Sequence, residues 1–310
     1  MKQKQSEPPD PPIIVRPFFS VVMPLHNKRN YLHRAIESVL NQTLTDFELI
    51  VVDDASTDGG AEVVASIADH RIRLLRREEP GPGGYAARNV GAAAARAQWL
   101  TFLDADDEWQ PNHLSSAHQF LLDYPDVEFL FFGHRYTERG EVHTIYPERR
   151  ERLPRVSALS LLSKRDAIHT NSIIVKDLAY QRVGGFPAGR CKRGGDSELW
   201  VRLIMHSQAI GASNEVTSIY HKDASEIVVN SGHLTTRHPV AETVAKLLRE
   251  GNVTREERYY LKKIANRKSF QWSRARKADG MFRLDECGNY YLSAFSPRDW
   301  MRWVWLMIPR

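Results

Sequence analysis

Apolar residues near the start of this chain gather into three short runs, and each run stops at a polar cluster. Phe18 to Met23 closes on Pro24 and is followed by Leu25-His26-Asn27-Lys28-Arg29-Asn30. Phe47 to Val52 ends in Asp53-Asp54, and Trp99 to Leu103 ends in Asp104-Ala105-Asp106-Asp107. The second and third runs do not alternate as half-exposed strands would, so they predict strands buried on both faces. Between the first two runs, Leu32, Ala35, Ile36, Val39 and Leu40 repeat at helical spacing behind Asn30, a candidate N-cap. Glu62 to His70 and the alanine-rich Tyr85 to Ala97 predict two more helices, and the alternating Arg71 to Arg76 an edge strand. The order β-α-β-α-β argues for a mostly parallel sheet with right-handed crossovers.

Further along, Val127 to Gly133 and Ser172 to Val175 predict strands, and Asn112 to Tyr124 a helix. Arg135 to Leu153 carries no period and reads as a hairpin or a mobile loop. Glu78 to Gly84 and Ala188 to Gly195 are glycine-rich loops. Asp196 opens a helix through Ser197 to Met205, where it suits an N-cap or first-turn carboxylate. From about Glu226 the sheet signals fade, and Val240 to Glu250 and Arg255 to Arg276 look like amphipathic helices with basic faces.

A length of 310 residues accommodates one large α/β domain with an appendage, and 42% hydrophobic residues exclude global disorder. The division expected is a disordered proline-rich leader at 1–17, the α/β domain at 18–225 and a basic helical region at 226–310. Charge follows that division: residues 226–310 hold 16 Lys and Arg against 9 Asp and Glu, whereas the rest is slightly acidic. No nucleic-acid module signature accompanies the basic part, so nucleic acid is not expected as a partner. Two cysteines, Cys191 and Cys287, are too few for a disulfide framework. With no signal peptide at the N-terminus, they fit a cytoplasmic location.

In a parallel sheet the carboxyl ends of the strands face one edge, where open α/β sheets bind ligands. His26-Asn27, Asp53-Asp54 and Asp104 to Asp107 should therefore meet in one crevice. A solvated turn explains one acidic loop, but two acidic strand ends in succession after buried runs are poorly explained that way. Asp104 and Asp106 flank one small residue and can converge on a divalent cation, Mg²⁺ or Mn²⁺, held against substrate phosphates. The glycine-rich loop before Tyr85 could cradle phosphate at a helix N-terminus, although neither the P-loop nor the dinucleotide fingerprint occurs.

Five ordered blocks carry a more specific signal. Ser20-Val21-Val22-Met23-Pro24-Leu25-His26-Asn27, Ile50 to Asp58, Ala87-Arg88-Asn89-Val90-Gly91, Leu103 to Asp107 and Gly194 to Leu203 together resemble family 2 glycosyltransferases over about residues 18–225. The resemblance implies a GT-A fold, a nucleotide-diphosphate-sugar donor of the UDP or dTDP type, and inversion at the anomeric carbon. By position it implies that Pro24, His26 and Asn27 line the nucleotide pocket and that Asp53 hydrogen-bonds the base, with Asp54 beside it. It implies Arg88 near the diphosphate or base, Asp104 at the ribose or metal shell, Asp106 as metal ligand and Asp196 as general base. A hydroxyl acceptor in polysaccharide, lipopolysaccharide or glycolipid synthesis, saccharide or lipid-linked, is the acceptor class implied.

The chain departs from the pattern at Gly195, where the family commonly carries an acid. Glu198 is the substitute should Asp196 not be the base, although its helical position favours a supporting part. His221 reads as an accessory at the diphosphate or metal, or as a plain surface histidine. Trp109 reads as an acceptor platform or as core. Trp300 to Arg310 mixes three tryptophans with arginines and is too short to span a bilayer. It suits either peripheral contact with an anionic membrane, at the inner face, or docking on protein. Two rival readings are a nucleotidyltransferase, whose basic glycine-rich signature the first strand end lacks, and a degenerate nucleotide-sugar binding module.

Overall fold

The computed structural model describes residues 16–222 and 235–308. Most of the expected leader lies outside the described residues, as does the boundary expected at residue 225. In chain order the first elements are β1 (Phe19–Leu25), α1 (Arg29–Leu40), β2 (Phe47–Asp54), α2 (Gly60–Ser66), β3 (Ile72–Arg77), α3 (Tyr85–Ala93) and β4 (Trp99–Phe102). β5 (Glu108–Trp109), α4 (His113–Asp123), β6 (Phe129–Glu138), β7 (Glu141–Ile145), β8 (Glu151–Leu153) and α5 (Arg155–Lys164) follow. The remainder is β9 (Ile173–Lys176), α6 (Asp177–Arg182), α7 (Gly195–His206), β10 (Ile210–His221), α8 (Pro239–Glu250), α9 (Arg255–Ala278) and α10 (Pro297–Met307).

The strands form one sheet in the order β3-β2-β1-β4-β9-β6-β10-β5, with β7 on β6 and β8 on β10. β3, β2, β1 and β4 run parallel, and β3 takes the edge that its alternation predicts. β9 opposes both β4 and β6, and β10 runs parallel to β6. The carboxyl ends of β1, β2, β4, β6 and β10 and the amino end of β9 therefore share one edge. Every residue of β2 and of β4 is buried, including Glu48, which accepts from Ser20 Oγ at 2.7 Å and Arg73 at 2.6 Å.

Two packed layers hold the sheet. On one face α1 and α4 meet β1 and β4 around Leu32, Ile36, Trp99 and Phe120. On the other, Phe102, Phe129, Phe186 and Trp200 bring α7 against the sheet, and Val240, Val244, Leu261 and Ile264 continue the same core. Thus α8 and the first part of α9 complete the core of the α/β domain, while Phe270, Tyr290 and Leu306 form a smaller cluster with α10.

The sequence reading holds for these elements with shifted ends. α1 starts at Arg29, so Asn30 lies inside the helix and does not cap it. Lys28 at the N-cap has no acceptor to offer, and Asp58 Oδ2 accepts the Arg29 N–H at 2.8 Å instead. Gly194, at φ 76°, is the N-cap of α7, which puts Asp196 in the first turn. Arg135 to Leu153 resolves into a hairpin, β6 with β7, turning at Arg139 and Gly140, which both have positive φ. α5 had no counterpart in the pattern: Leu159 and Leu162 are buried among serines and basic residues that blur the period.

α3 lies unusually close to the sheet at Gly91, where a Cβ would stand 2.4 Å from Val22 Cγ1 and 3.1 Å from Val52 Cγ2. A larger residue must push the helix off β1 and β2. Gly91→Val is expected to destabilise the fold by about 1–3 kcal/mol, the usual cost of overpacking a core. Urea unfolding measures it, and a midpoint equal to wild type would contradict this packing.

Candidate active site

The crevice is assembled from strand ends that the fold cannot separate. β1 and β2 pair in register down to Leu25 opposite Asp53, which puts the His26 loop beside the second acidic pair. His26 Nδ1 donates to the Asp54 carbonyl at 2.7 Å, and Asn27, at φ 51°, accepts the Thr57 N–H at 2.8 Å. Asp53 Oδ1 accepts the Ser56 N–H at 3.0 Å, which shapes the turn after β2. Asp54 is committed to structure, because Arg77 donates to one oxygen and the Gly81 N–H to the other at 3.0 Å. It thereby anchors the glycine-rich loop that leads into α3. Pro24, half-buried at the end of β1, lies beneath that loop next to Gly84.

Arg88 projects from α3 under the acidic turn. It is buried, donates to Asp104 and to the Gly83 carbonyl at 3.0 Å, and its guanidinium lies 5.3 Å from the Phe186 ring centroid. Although burial opposes its charge, the Asp104 carboxylate more than offsets this and raises its pKa further. On the other side of the turn, Lys28 Nζ stands 3.1 Å from Asp106 Oδ2, and Arg34 donates to the Asp106 carbonyl. Burial and then the charge of Asp104 push Asp106 above the ordinary carboxylate range.

Asp107 is wholly buried: Oδ2 accepts from Asn171 Nδ2 at 2.5 Å and Oδ1 from the His221 N–H at 2.8 Å. Burial first, then Asp106 and Asp104, hold its pKa well above the usual value. Asn171 also accepts the Asp104 N–H at 3.0 Å through Oδ1 and the Trp109 Nε1–H at 2.7 Å through its carbonyl. Trp109 is therefore core: it is buried, stacks on His113 at 4.1 Å, and has no face left for an acceptor. His221, the last residue of β10, places Nε2 2.8 Å from Glu108 at the rim of the acidic turn.

Asp196 and Glu198 lie two residues apart in the first turn of α7 and differ sharply. Glu198 is buried, with Arg202 on both oxygens at 2.9 and 2.5 Å, Arg190 at 3.0 Å and Thr243 at 2.7 Å. Burial would raise its pKa, but the Arg202 contacts outweigh burial and hold it below the ordinary range. So engaged, it cannot act as the substitute base, and its part is to pin α7. The Asp196 carboxylate takes no hydrogen bond or ion pair among the described residues. Half-buried, it stands beside the start of α3, the helix that carries Arg88. Tyr85 Oη accepts the Gly195 N–H at 2.9 Å, tying the start of α7 to the start of α3.

The structure brings His26, Asn27, Asp53, Asp54, Asp104 and Asp106 to one edge, as the strand ends predict, and sets Pro24, Arg88, Asp196 and His221 around them. It also adds Lys28, His169 and Asn171, which the sequence reading passed over. The signal for the last two was there, a polar cluster touching a strand. It precedes β9 instead of following it, because that strand runs the other way.

Among the described residues no group of three His, Cys, Asp or Glu side chains is placed to hold a metal by itself. Asp104 and Asp106 supply two hard oxygen donors, a set that fits Mg²⁺ or Mn²⁺ sharing its shell with phosphate oxygens. The raised pKa of Asp106 beside Asp104 marks carboxylates crowded enough to gain from such a cation.

A family model described as glycosyl transferase family 2 matches residues 20–181. The minor teichoic acid biosynthesis protein GgaA of Bacillus subtilis (strain 168) is 34% identical over 159 residues, covering 49% of this chain and 35% of that protein. The succinoglycan biosynthesis protein ExoO of Rhizobium meliloti (strain 1021) is 42% identical over 128 residues, 38% of this chain and 36% of its own. This chain thus spans about a third to a half of the length of the first curated relatives it matches. Among solved structures, S. aureus TarS 1-349 in complex with UDP-GlcNAc superposes with a TM-score of 0.72 at 20% identity, covering 88% of this chain and 78% of that one. Mannosyltransferase PcManGT from Pyrobaculum calidifontis, in complex with GDP-Man and Mn²⁺, gives 0.59 at 20% identity, covering 95% and 86%. At such identities the likeness speaks for the fold, which is the GT-A fold that the five sequence blocks imply. The family model covers more than half of the chain and includes four of those blocks, so this chain belongs to glycosyltransferase family 2.

Proposed function

We propose that the chain transfers a sugar from a UDP- or dTDP-type donor to a hydroxyl acceptor, in one displacement with inversion at the anomeric carbon. The observation that carries this reading is Asp196, a carboxylate without a protein partner among the described residues, at the start of α7 where Gly195 is tied to Tyr85 beside the helix that carries Arg88. The names of the relatives, teichoic acid and succinoglycan biosynthesis, point to a surface or extracellular polysaccharide, or its lipid-linked precursor, as acceptor.

In this reading His26, Asn27 and Asp53 line the base pocket, and Arg88 offsets phosphate charge from below. Asp106, with Asp104, would hold Mg²⁺ or Mn²⁺, whose chemistry is to neutralise charge on the departing diphosphate. The acceptor oxygen bonds to the anomeric carbon as the bond to the β-phosphate oxygen breaks, and the electron pair leaves with the nucleoside diphosphate. The acceptor proton passes to Asp196, since an alcohol is a poor nucleophile until a base takes its proton. No covalent sugar–enzyme intermediate is required.

Asp106→Asn and Asp196→Asn are each expected to lower transfer by at least about a hundredfold, the usual scale of a lost base or charge-stabilising group. Only Asp106→Asn should also weaken Mn²⁺-dependent UDP binding, followed by thermal shift. Full turnover by either variant on a donor used by wild type would remove that residue's role.

Location follows from α10 in the same reading. Among the described residues no helix is long and apolar enough to cross a membrane. α10 nevertheless turns Trp300, Met301, Val304 and Trp305 outward, each at least 44% exposed, with Arg298 and Arg302 alongside. Its inner side is fixed by Leu306 and by Lys277, whose ammonium donates to the carbonyls of Trp305, Leu306 and Ile308 at 2.7, 3.1 and 2.8 Å. Interfacial tryptophan bordered by arginine matches an anionic bilayer surface at the cytoplasmic face. The protein is expected to sediment with vesicles containing phosphatidylglycerol and not with pure phosphatidylcholine. The double variant Trp300→Ala/Trp305→Ala should lose about tenfold in vesicle affinity, the scale of burying two aromatic rings at an interface. Equal binding by that variant would place the contact elsewhere.

A further inference from the structure

Helix α7 begins without a cap of its own. The first N–H groups of a helix have no partner inside it, and Gly194 at the N-cap has no side chain to offer them. The Gly195 N–H is met instead by Tyr85 Oη, at 2.9 Å, from the first residue of α3. Tyr85 is buried, and its ring stacks on Phe186 with centroids 5.7 Å apart. Burial raises the pKa of its hydroxyl, so the phenol keeps its proton and is no candidate for the base itself.

The surroundings leave the start of α7 no slack. A Cβ at Gly195 would stand 2.6 Å from Pro187 Cγ and 2.8 Å from Tyr85 Cε2 and Cζ, so no side chain fits there. That excludes an acid at the position where the family commonly carries one. At Gly194 a Cβ would lie 2.7 Å from Nε2 of His238, a buried residue at the N-cap of α8. The glycine-rich loop before α3 touches the loop before α7 in turn: a Cβ at Gly83 would stand 2.5 Å from the Lys192 carbonyl oxygen. Two glycines are thus held between Tyr85, Pro187 and His238, and Asp196 follows directly on them. With no partner of its own among the described residues, the Asp196 carboxylate is aimed by the backbone that carries it. A hydrogen bond from another helix sets that backbone.

We propose that Tyr85 is a positioning residue: its hydroxyl caps α7 from α3, and so holds the Asp196 carboxylate where the acceptor proton must be taken. This inference rests on the glycosyl-transfer reading, with Asp196 as its base. Tyr85 and Arg88 lie three residues apart on α3, on neighbouring positions of one face. The helix that meets the phosphate charge therefore also sets the base.

The test combines Tyr85→Phe, which keeps the ring and removes only the oxygen, with Asp196→Asn and the double variant. Release of the nucleoside diphosphate is measured with Mn²⁺, with UDP-N-acetylglucosamine, UDP-glucose or dTDP-glucose as donor and octyl glucoside as hydroxyl acceptor. UDP binding is followed by calorimetry and folding by thermal melting. On the donor that wild type uses, Tyr85→Phe is expected to lower kcat about tenfold, the scale of one hydrogen bond lost. The donor KM and the UDP dissociation constant should be unchanged. Added to Asp196→Asn, the same change should cost nothing further, because no base is left to position. A fall of similar size in both backgrounds, a matching loss of UDP affinity, or an unchanged kcat in Tyr85→Phe would each overturn the proposal. Should Asp196→Asn turn over too slowly to read, the split of kcat from KM in Tyr85→Phe decides. Should Tyr85→Phe melt below the assay temperature, Gly195→Ala takes its place: a lowered kcat with UDP binding intact supports the clamp, and a wild-type kcat removes it. Full turnover by Asp196→Asn, or none by wild type on any donor, would overturn the functional reading. A crippled Asp196→Asn beside an indifferent Tyr85→Phe overturns this inference only.

Discussion

The side-chain amide of Asn171 is the constraint on which the crevice depends. Its carbonyl oxygen holds the Asp104 backbone and its N–H group holds the Asp107 carboxylate, so one buried side chain sets the shape of the acidic turn. Three carboxylates within four positions repel one another, and burial makes that repulsion more costly. The turn is stable because Asp107 is withdrawn into hydrogen bonds with Asn171 and His221 while Arg88 and Lys28 meet the other two. Since β9 opposes β4, this amide is also where the two halves of the sheet are joined at their functional edge.

The same economy separates carboxylates that look alike in sequence. Asp53 shapes a turn and Asp54 anchors a loop. Glu198 is saturated by two arginines and a threonine, whereas Asp196, two residues earlier, has no such partner among the described residues. Saturated carboxylates give rigidity; only those with oxygens to spare can meet a ligand or a proton. The distinction depends on partners brought from Arg77, Arg190, Thr243 and Asn171, most of them distant in sequence.

That is why the sequence disclosed the edge but not its wiring. Buried runs ending in polar residues locate β1, β2 and β4, and parallel order brings their ends together, so His26, Asp53 and Asp104 to Asp107 were legible. His169 and Asn171 were not, because β9 is antiparallel and its polar cluster comes before the strand. Trp109 follows the acidic turn and could have faced an acceptor; only the tertiary contact with Asn171 and His113 makes it core. α5 leaves no periodic trace in the sequence because serines and basic residues occupy positions where an amphipathic helix would be apolar.

The end of α10 has a consequence of a different kind. A helix of eleven residues is marginal on its own, and this one has no glycine stop of its own. Its final carbonyls are satisfied from outside, by the ammonium of Lys277 on α9. α10 is thus a conditional element that forms only once α9 is in place. Its sorting of Trp300 and Trp305 outward, with Trp303 and Leu306 turned to the cluster around Phe270, then arises only in the finished fold, so any affinity of that outer face for a surface would report that the chain is properly folded.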